Sequence, residues 1–146
     1  MTSSLSRRAL FKLATSEGFE RAVRAVPGGA ALAYRLGSRY VAGTTVADAL
    51  GTARGLAGRG VASSIDFFGE NVTDSREADW VADEYVRLAA SLADAPPGTY
   101  LSIDLSHIDV DSPGPAVAAR LERIAAALPA GSRLQVGAEQ AARTDR

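Results

Sequence analysis

The chain has 146 residues, 47% hydrophobic and 23% charged, the balance of one soluble globular domain rather than a disordered or fibrous segment. Its formal charge is −1 with both signs interspersed, so no basic field exists to hold a nucleic-acid backbone or an anionic membrane surface. The absence of cysteine removes disulfides, thiolate nucleophiles and cysteine-based zinc sites together. Any chemistry falls to carboxylates, arginines, hydroxyls, one histidine or a bound cofactor. The opening residues carry no long apolar run, and Lys12 interrupts their apolar stretch. The sequence therefore reads as cytoplasmic, with no transmembrane segment.

Residues 1–59 read as a helical segment, because apolar residues recur at spacings of three and four: Leu10 with Leu13, Phe19 with Val23 and Val26, Val46 with Leu50. Pro27-Gly28-Gly29 punctuates it, a helical pattern over 30–41 closes at Gly43, and Thr45 to Gly58 follows as an alanine-rich amphipathic helix. The period changes in residues 60–146. Val61 to Asp66 predicts a strand, and Ser75 to Ala93 predicts a helix with Val81, Tyr85, Leu88 and Leu92 on one stripe. Tyr100 to Leu105 is a second strand. A helix carrying Val117, Leu121, Ile124 and Leu128 comes next, and Arg133 to Ala138 is a third strand. One helix between successive strands predicts an α/β fold with parallel pairing and right-handed crossovers. The C-terminal strand ends, near Asp66, Asp104 and Ala138, then share one rim, where α/β folds bind ligands.

Arg39-Tyr40-Val41-Ala42-Gly43, then Gly60 to Val72 (GVASSIDFFGENV), then Tyr100 to Ser106 (YLSIDLS) resemble, in order and spacing, the first three βα units of proline dehydrogenases. In that family the first strand ends in an Asp-x-x-Gly-Glu turn, matched by Asp66, Gly69 and Glu70. The resemblance runs from about Tyr40 to the end. It implies FAD-dependent oxidation of L-proline to 1-pyrroline-5-carboxylate in a (βα)8 TIM barrel, of which this chain is an incomplete, N-terminal part. FAD is then bound mainly by later strands. Asp104 stands where the family's second strand carries a lysine, and Gly137-Ala138-Glu139 stands where its third strand reads Asp-Met-Glu, so that only Glu139 of that triplet is kept. The two replacements remove an expected ion pair. Beside the enzyme reading stands a second one, a non-catalytic half-barrel remnant or interaction module. Three strands cannot close a barrel, and their open edges predict self-association or a complementing half-barrel chain.

Asp66, Gly69, Glu70 and Glu139 are expected to shape the rim, the carboxylates orienting loops as readily as serving chemistry, and Asp104 is the candidate catalytic position. Asp104, His107, Asp109 and Asp111 match no metal-ligand spacing and read as a solvated loop, so no metal is expected. No Gly-x-Ser-x-Gly elbow accompanies His107, which argues against a hydrolase, and the four glycines of Gly51 to Gly60 form no phosphate-binding pattern. Trp80, at the border of its helix's apolar stripe, is expected to pack against the N-terminal helices.

Overall fold

The computed structural model describes residues 41–137, together with positions 25, 26, 28, 29, 31, 35 and 38. The periodic segments around Leu10, Leu13, Phe19 and Val23, most of 30–40, and Ala138 and Glu139 lie outside the described residues. The chain divides into two compact units, Met1–Gly43 and Thr44–Arg146, and the second holds the elements that follow.

Helix α1 (Val46–Ala57) starts on a capping box. The Thr45 hydroxyl accepts from the Asp48 N–H at 3.2 Å, and the Asp48 carboxylate accepts from the Thr45 N–H at 3.1 Å, so two otherwise orphaned donors are satisfied reciprocally. Its buried residues are Leu50 and Ala53. Gly60, at φ 76°, lets the chain double back, and the Val61 N–H reaches the Leu56 carbonyl at 3.1 Å.

Three short strands follow, β1 (Ser64–Ile65), β2 (Tyr100–Ile103) and β3 (Leu134–Val136), paired in parallel in the order β1-β2-β3. Ser64 lies opposite Tyr100 and Ile65 opposite Leu101. Leu101, Ser102 and Ile103 face Leu134, Gln135 and Val136. Helices α2 (Ser75–Ser91) and α3 (Gly114–Ala126) make the crossovers that parallel pairing requires. The architecture is thus α/β, as the alternating pattern predicts.

The strands are shorter than their apolar patterns. β1 stops before Asp66, whose carboxylate is engaged by a tyrosine of α2. β2 stops at Ile103, because a 3-10 turn over Leu105–Ile108 begins with the His107 N–H bonding to the Asp104 carbonyl at 3.0 Å. Along β2 burial alternates: Leu101 and Ile103 are fully buried, Tyr100 and Ser102 only partly.

Helix α2 begins at Asp74, which accepts from the N–H groups of Arg76 and Glu77 at 2.9 and 3.0 Å. Its predicted stripe is realised: Val81, Tyr85 and Leu88 are buried, as is Leu92 in the 3-10 turn Leu92–Asp94 that follows. Ala78, Ala82 and Ala89 are buried beside them, small residues that leave room for close packing. Helix α3 adds Val117 and Ile124 to the same core. Full burial of an aliphatic side chain of this kind is worth about 1.5–3 kcal/mol.

Among the described residues nothing pairs with the outer edges of β1 and β3, and Val136 on β3 is 46% exposed. No described helix is long and apolar enough to cross a membrane.

Candidate functional site

The site is built where the chain leaves β1 and β2. Parallel strands present their C-terminal ends on one side, so Asp66 and Asp104 follow adjacent strands onto the same rim. Residues 66–74 and 104–113 contain Asp66, Glu70, Asp74, Asp104, Asp109 and Asp111 and neither lysine nor arginine. The two loops are tied together by the Val72 N–H, which donates to the Ser106 carbonyl at 3.0 Å.

Tyr85 organises the β1 side. Its ring is fully buried in the α2 stripe, and its hydroxyl emerges beneath the end of β1, donating to Asp66 Oδ1 at 2.6 Å with the Phe67 carbonyl at 3.1 Å. The short distance marks a hydrogen bond to a charged acceptor. Burial, and the Asp66 carboxylate that stabilises the neutral phenol, push the Tyr85 pKa well up, so the hydroxyl keeps its proton.

Asp66 itself is exposed overall, yet partial desolvation of its carboxyl raises its pKa. The Tyr85 hydrogen bond opposes that rise and the nearby Asp104 charge adds to it. The result is a strand-end carboxyl with one oxygen engaged by a fixed donor and an affinity for protons above the ordinary aspartate value.

His107 joins the same cluster, and here the structure corrects an expectation. The stretch from Asp104 to Asp111 is not a solvated loop, because Ser106, His107, Ile108 and Asp109 are all buried in or beside the 3-10 turn. Its polar residues sit inside because the turn aims them at partners. Asp109, in the left-handed region at φ 61°, accepts from the Ser112 hydroxyl, and the His107 ring lies 5.2 Å from Phe67 and 5.7 Å from Tyr85. Nδ1 is 3.5 Å from the Tyr85 hydroxyl. Burial lowers the His107 pKa, against the pull of Asp66, a backbone hydrogen bond with Phe67, and the charges of Glu77 and Asp104.

Gly69 explains why the turn can close over this ring. A Cβ there would lie 2.1 Å from His107 Nε2 and 2.5 Å from Cε1. Glu70, also expected on the rim, is exposed in the same turn. Gly137 plays the matching part beside β2, where a Cβ would lie 1.9 Å from Asp104 Oδ1. The partner of Trp80 among the described residues is Phe67, edge-on at 6.0 Å, and Trp80 remains 53% exposed.

Two participants escaped the sequence pattern. Tyr85 reads as one more core position, and only its hydroxyl, which a buried tyrosine must satisfy, hints at a polar partner. Arg120 is 3% exposed in the middle of the α3 stripe, three residues after Val117 and four before Ile124. A charged residue at that spacing was the available signal. Its guanidinium donates to Asp79 Oδ1 at 2.8 Å, the Ile108 carbonyl at 3.1 Å and the Ser75 hydroxyl at 2.8 Å, joining α2, α3 and the 3-10 turn. Among the described residues no group of three or more histidine and carboxylate side chains converges as a metal site.

No family model matches the chain. Over 78 residues, 53% of its length, it is 35% identical to proline dehydrogenase 1 of Bacillus subtilis strain 168, and it matches the protein of the same name from Bacillus subtilis subsp. natto equally well. The match covers 26% of each relative, so the chain spans about a quarter of the length of these curated proteins. Over about half its own length, then, this chain is similar to proline dehydrogenases.

Proposed function

We propose that the chain is a proline-dehydrogenase-like oxidoreductase component of the cytoplasm, in which β1, β2 and β3 form the first part of a (βα)8 barrel. The observation that carries this reading is the 35% identity over 78 residues to proteins of that name. The parallel strand-helix alternation is compatible with it. In this reading the outer edges of β1 and β3 are covered by further strands of the barrel, whichever chain supplies them.

The rim's charge suits one end of the substrate. L-proline carries a secondary ammonium and a carboxylate, and Asp66 and Asp104 are matched to the ammonium. A carboxylate would need a cation, and 66–74 and 104–113 hold no lysine or arginine. FAD, the cofactor that proline dehydrogenases use as hydride acceptor, meets the same difficulty. Its pyrophosphate is anionic and its reduced ring gathers negative charge, so the described rim does not fit it. The flavin, in this reading, is held by other residues.

The test uses the full chain. L-proline is titrated calorimetrically, and proline-dependent reduction of an artificial electron acceptor is followed with FAD added. Saturable binding together with dye reduction is the expected result. Binding without reduction would remove the oxidoreductase part of the reading, and the loss of both would overturn it entirely.

A further inference from the structure

The turn that carries Phe67, Phe68, Gly69 and Glu70 rests on a single buried imidazole. His107 is 4% exposed, its ring fills the space a side chain at Gly69 would need, and it lies 5.2 Å from the Phe67 ring. The Phe67 carbonyl is shared with the Tyr85 hydroxyl, which holds Asp66. Moving the turn therefore disturbs the rim carboxylate through two bonded contacts. Beyond Gly69, the Val72 N–H to Ser106 carbonyl bond, 3.0 Å long, fastens the far side of the turn to the same 3-10 segment.

A neutral imidazole carries one N–H and suits this setting. A charged one carries two, and the ring edge bearing Nε2 lies against the Cα of Gly69, which accepts no hydrogen bond. The new donor reaches an acceptor or water only if the ring swings out or the turn lifts. Burial and the polar groups around the ring pull in opposite directions. Asp66 at the end of β1, the Phe67 backbone, Glu77 on α2 and Asp104 at the end of β2 favour the cation, while burial opposes it and prevails. Arg120 on α3 is bonded to the Ile108 carbonyl of the same 3-10 turn. The Tyr85 hydroxyl proton is committed to Asp66, with the Phe67 carbonyl at 3.1 Å, so toward Nδ1, 3.5 Å away, its oxygen acts as acceptor and the second proton falls to Nε2.

We propose that His107 is a proton-operated latch: neutral, it lets the 67–72 turn close over its ring; protonated, it releases the turn and with it the Tyr85–Asp66 contact at the rim. The device requires neither proline nor flavin and stands or falls apart from the proposed activity. The direction follows from burial, which holds the His107 pKa below its ordinary 6.5. The folded state then binds this proton less readily than the open one, so closure is complete at neutral pH and above. It is lost as the pH falls below about 6.5 and through the folded-state pKa.

The chain has one histidine and one tryptophan, so both signals are unambiguous in the full-length protein. The His107 ring protons and the Trp80 indole N–H are followed by NMR from pH 8 to 5, with hydrogen exchange at Val72 measured alongside. The His107 midpoint is expected below 6.5, the Trp80 signal moving with it through Phe67. Val72 opening, corrected for intrinsic exchange, rises by up to about tenfold per pH unit between about 6.5 and that midpoint and levels off below it. In His107→Phe the Val72 response disappears. A His107 that titrates at or above 6.5, or a Val72 amide indifferent to the His107 midpoint, overturns the latch. Both readings come from the unmodified chain, so they decide the matter even if His107→Phe does not fold.

Discussion

The Asp104 carboxylate occupies the place where a side chain on Gly137 would begin: a Cβ there would stand 1.9 Å from Oδ1 and 3.1 Å from Cγ. The two positions are adjacent in the sheet, because the Gly137 N–H donates to the Ile103 carbonyl at 2.8 Å just past the last ladder pair. Asp104 and Gly137 therefore act as one structural unit, a carboxylate just past the end of β2 admitted by a glycine after β3.

This coupling predicts non-additive mutants. Gly137→Asp alone sets two carboxylates in one space and should cost about 2 kcal/mol through overpacking and like-charge repulsion. Asp104→Lys combined with Gly137→Asp sets opposite charges side by side and should recover more than half of that loss. Urea midpoints of the two single variants and the double variant check it. Simple additivity of the three values would show that the two side chains do not share the space.

Gly69→Ala tests a tighter contact. At Gly137 the neighbour is the end of an aspartate that can rotate, whereas at Gly69 it is three atoms of a buried ring, the farthest 2.8 Å from the added carbon. Gly69→Ala should destabilise by about 1–3 kcal/mol, Gly137→Ala by less than about 1 kcal/mol. Thermal or urea unfolding orders the pair. An equal or reversed order would mean that the ring yields more easily than its burial implies.

The contrast between these glycines also marks what the sequence discloses. Element order, parallel pairing and the α2 core stripe are legible because each follows from a local period in the apolar residues. The Asp66, Gly69 and Glu70 turn is legible as a pattern, yet nothing local says that Gly69 is a glycine because of His107, thirty-eight positions later. The 104–111 segment, buried at 106–109, misleads for a related reason. Its run of aspartates and a histidine has the composition of a solvated loop, and only the packed turn reveals that Asp109 is held by Ser112 and His107 by Phe67 and Tyr85.

Tyr85→Phe isolates the hydroxyl. The ring stays buried, but Asp66 Oδ1 and the Phe67 carbonyl lose their donor, at an expected cost of about 1 kcal/mol. Because the Tyr85 bond restrains the upward shift of Asp66, its removal should raise the Asp66 pKa further. The sign for stability follows. A carboxyl whose folded pKa lies above its unfolded value favours folding at low pH, and that contribution is lost as the pH rises through the folded pKa. The variant should thus lose more stability at neutral pH than at an acid pH below the Asp66 pKa, where the carboxyl is protonated. Carboxyl carbon NMR titration and urea unfolding at the two pH values check both parts, and an Asp66 pKa unchanged or lowered in the variant would contradict the assigned role of the bond.

Arg120 offers the sharpest stability contrast, because its ion pair is lopsided. Its side chain is 4% exposed, whereas that of Asp79 is 57% exposed. Water can replace the guanidinium at Asp79, so the carboxylate is not what the arginine chiefly serves. Ile108 is fully buried, and its carbonyl and the exposed Ser75 lose their donor in Arg120→Ala together with the packing of the aliphatic stem between α2 and α3. That variant should cost about 3 kcal/mol, the sum expected for unsatisfied acceptors and lost packing. Asp79→Asn keeps an acceptor oxygen for the guanidinium and removes only a half-solvated charge, for which less than about 1 kcal/mol is expected. Arg120→Lys retains the charge but cannot span Asp79, Ser75 and Ile108 at once, and it should fall between the two. If Asp79→Asn proved as damaging as Arg120→Ala, the ion pair itself would be what joins α2 to α3, and the bonds to Ser75 and Ile108 would be incidental.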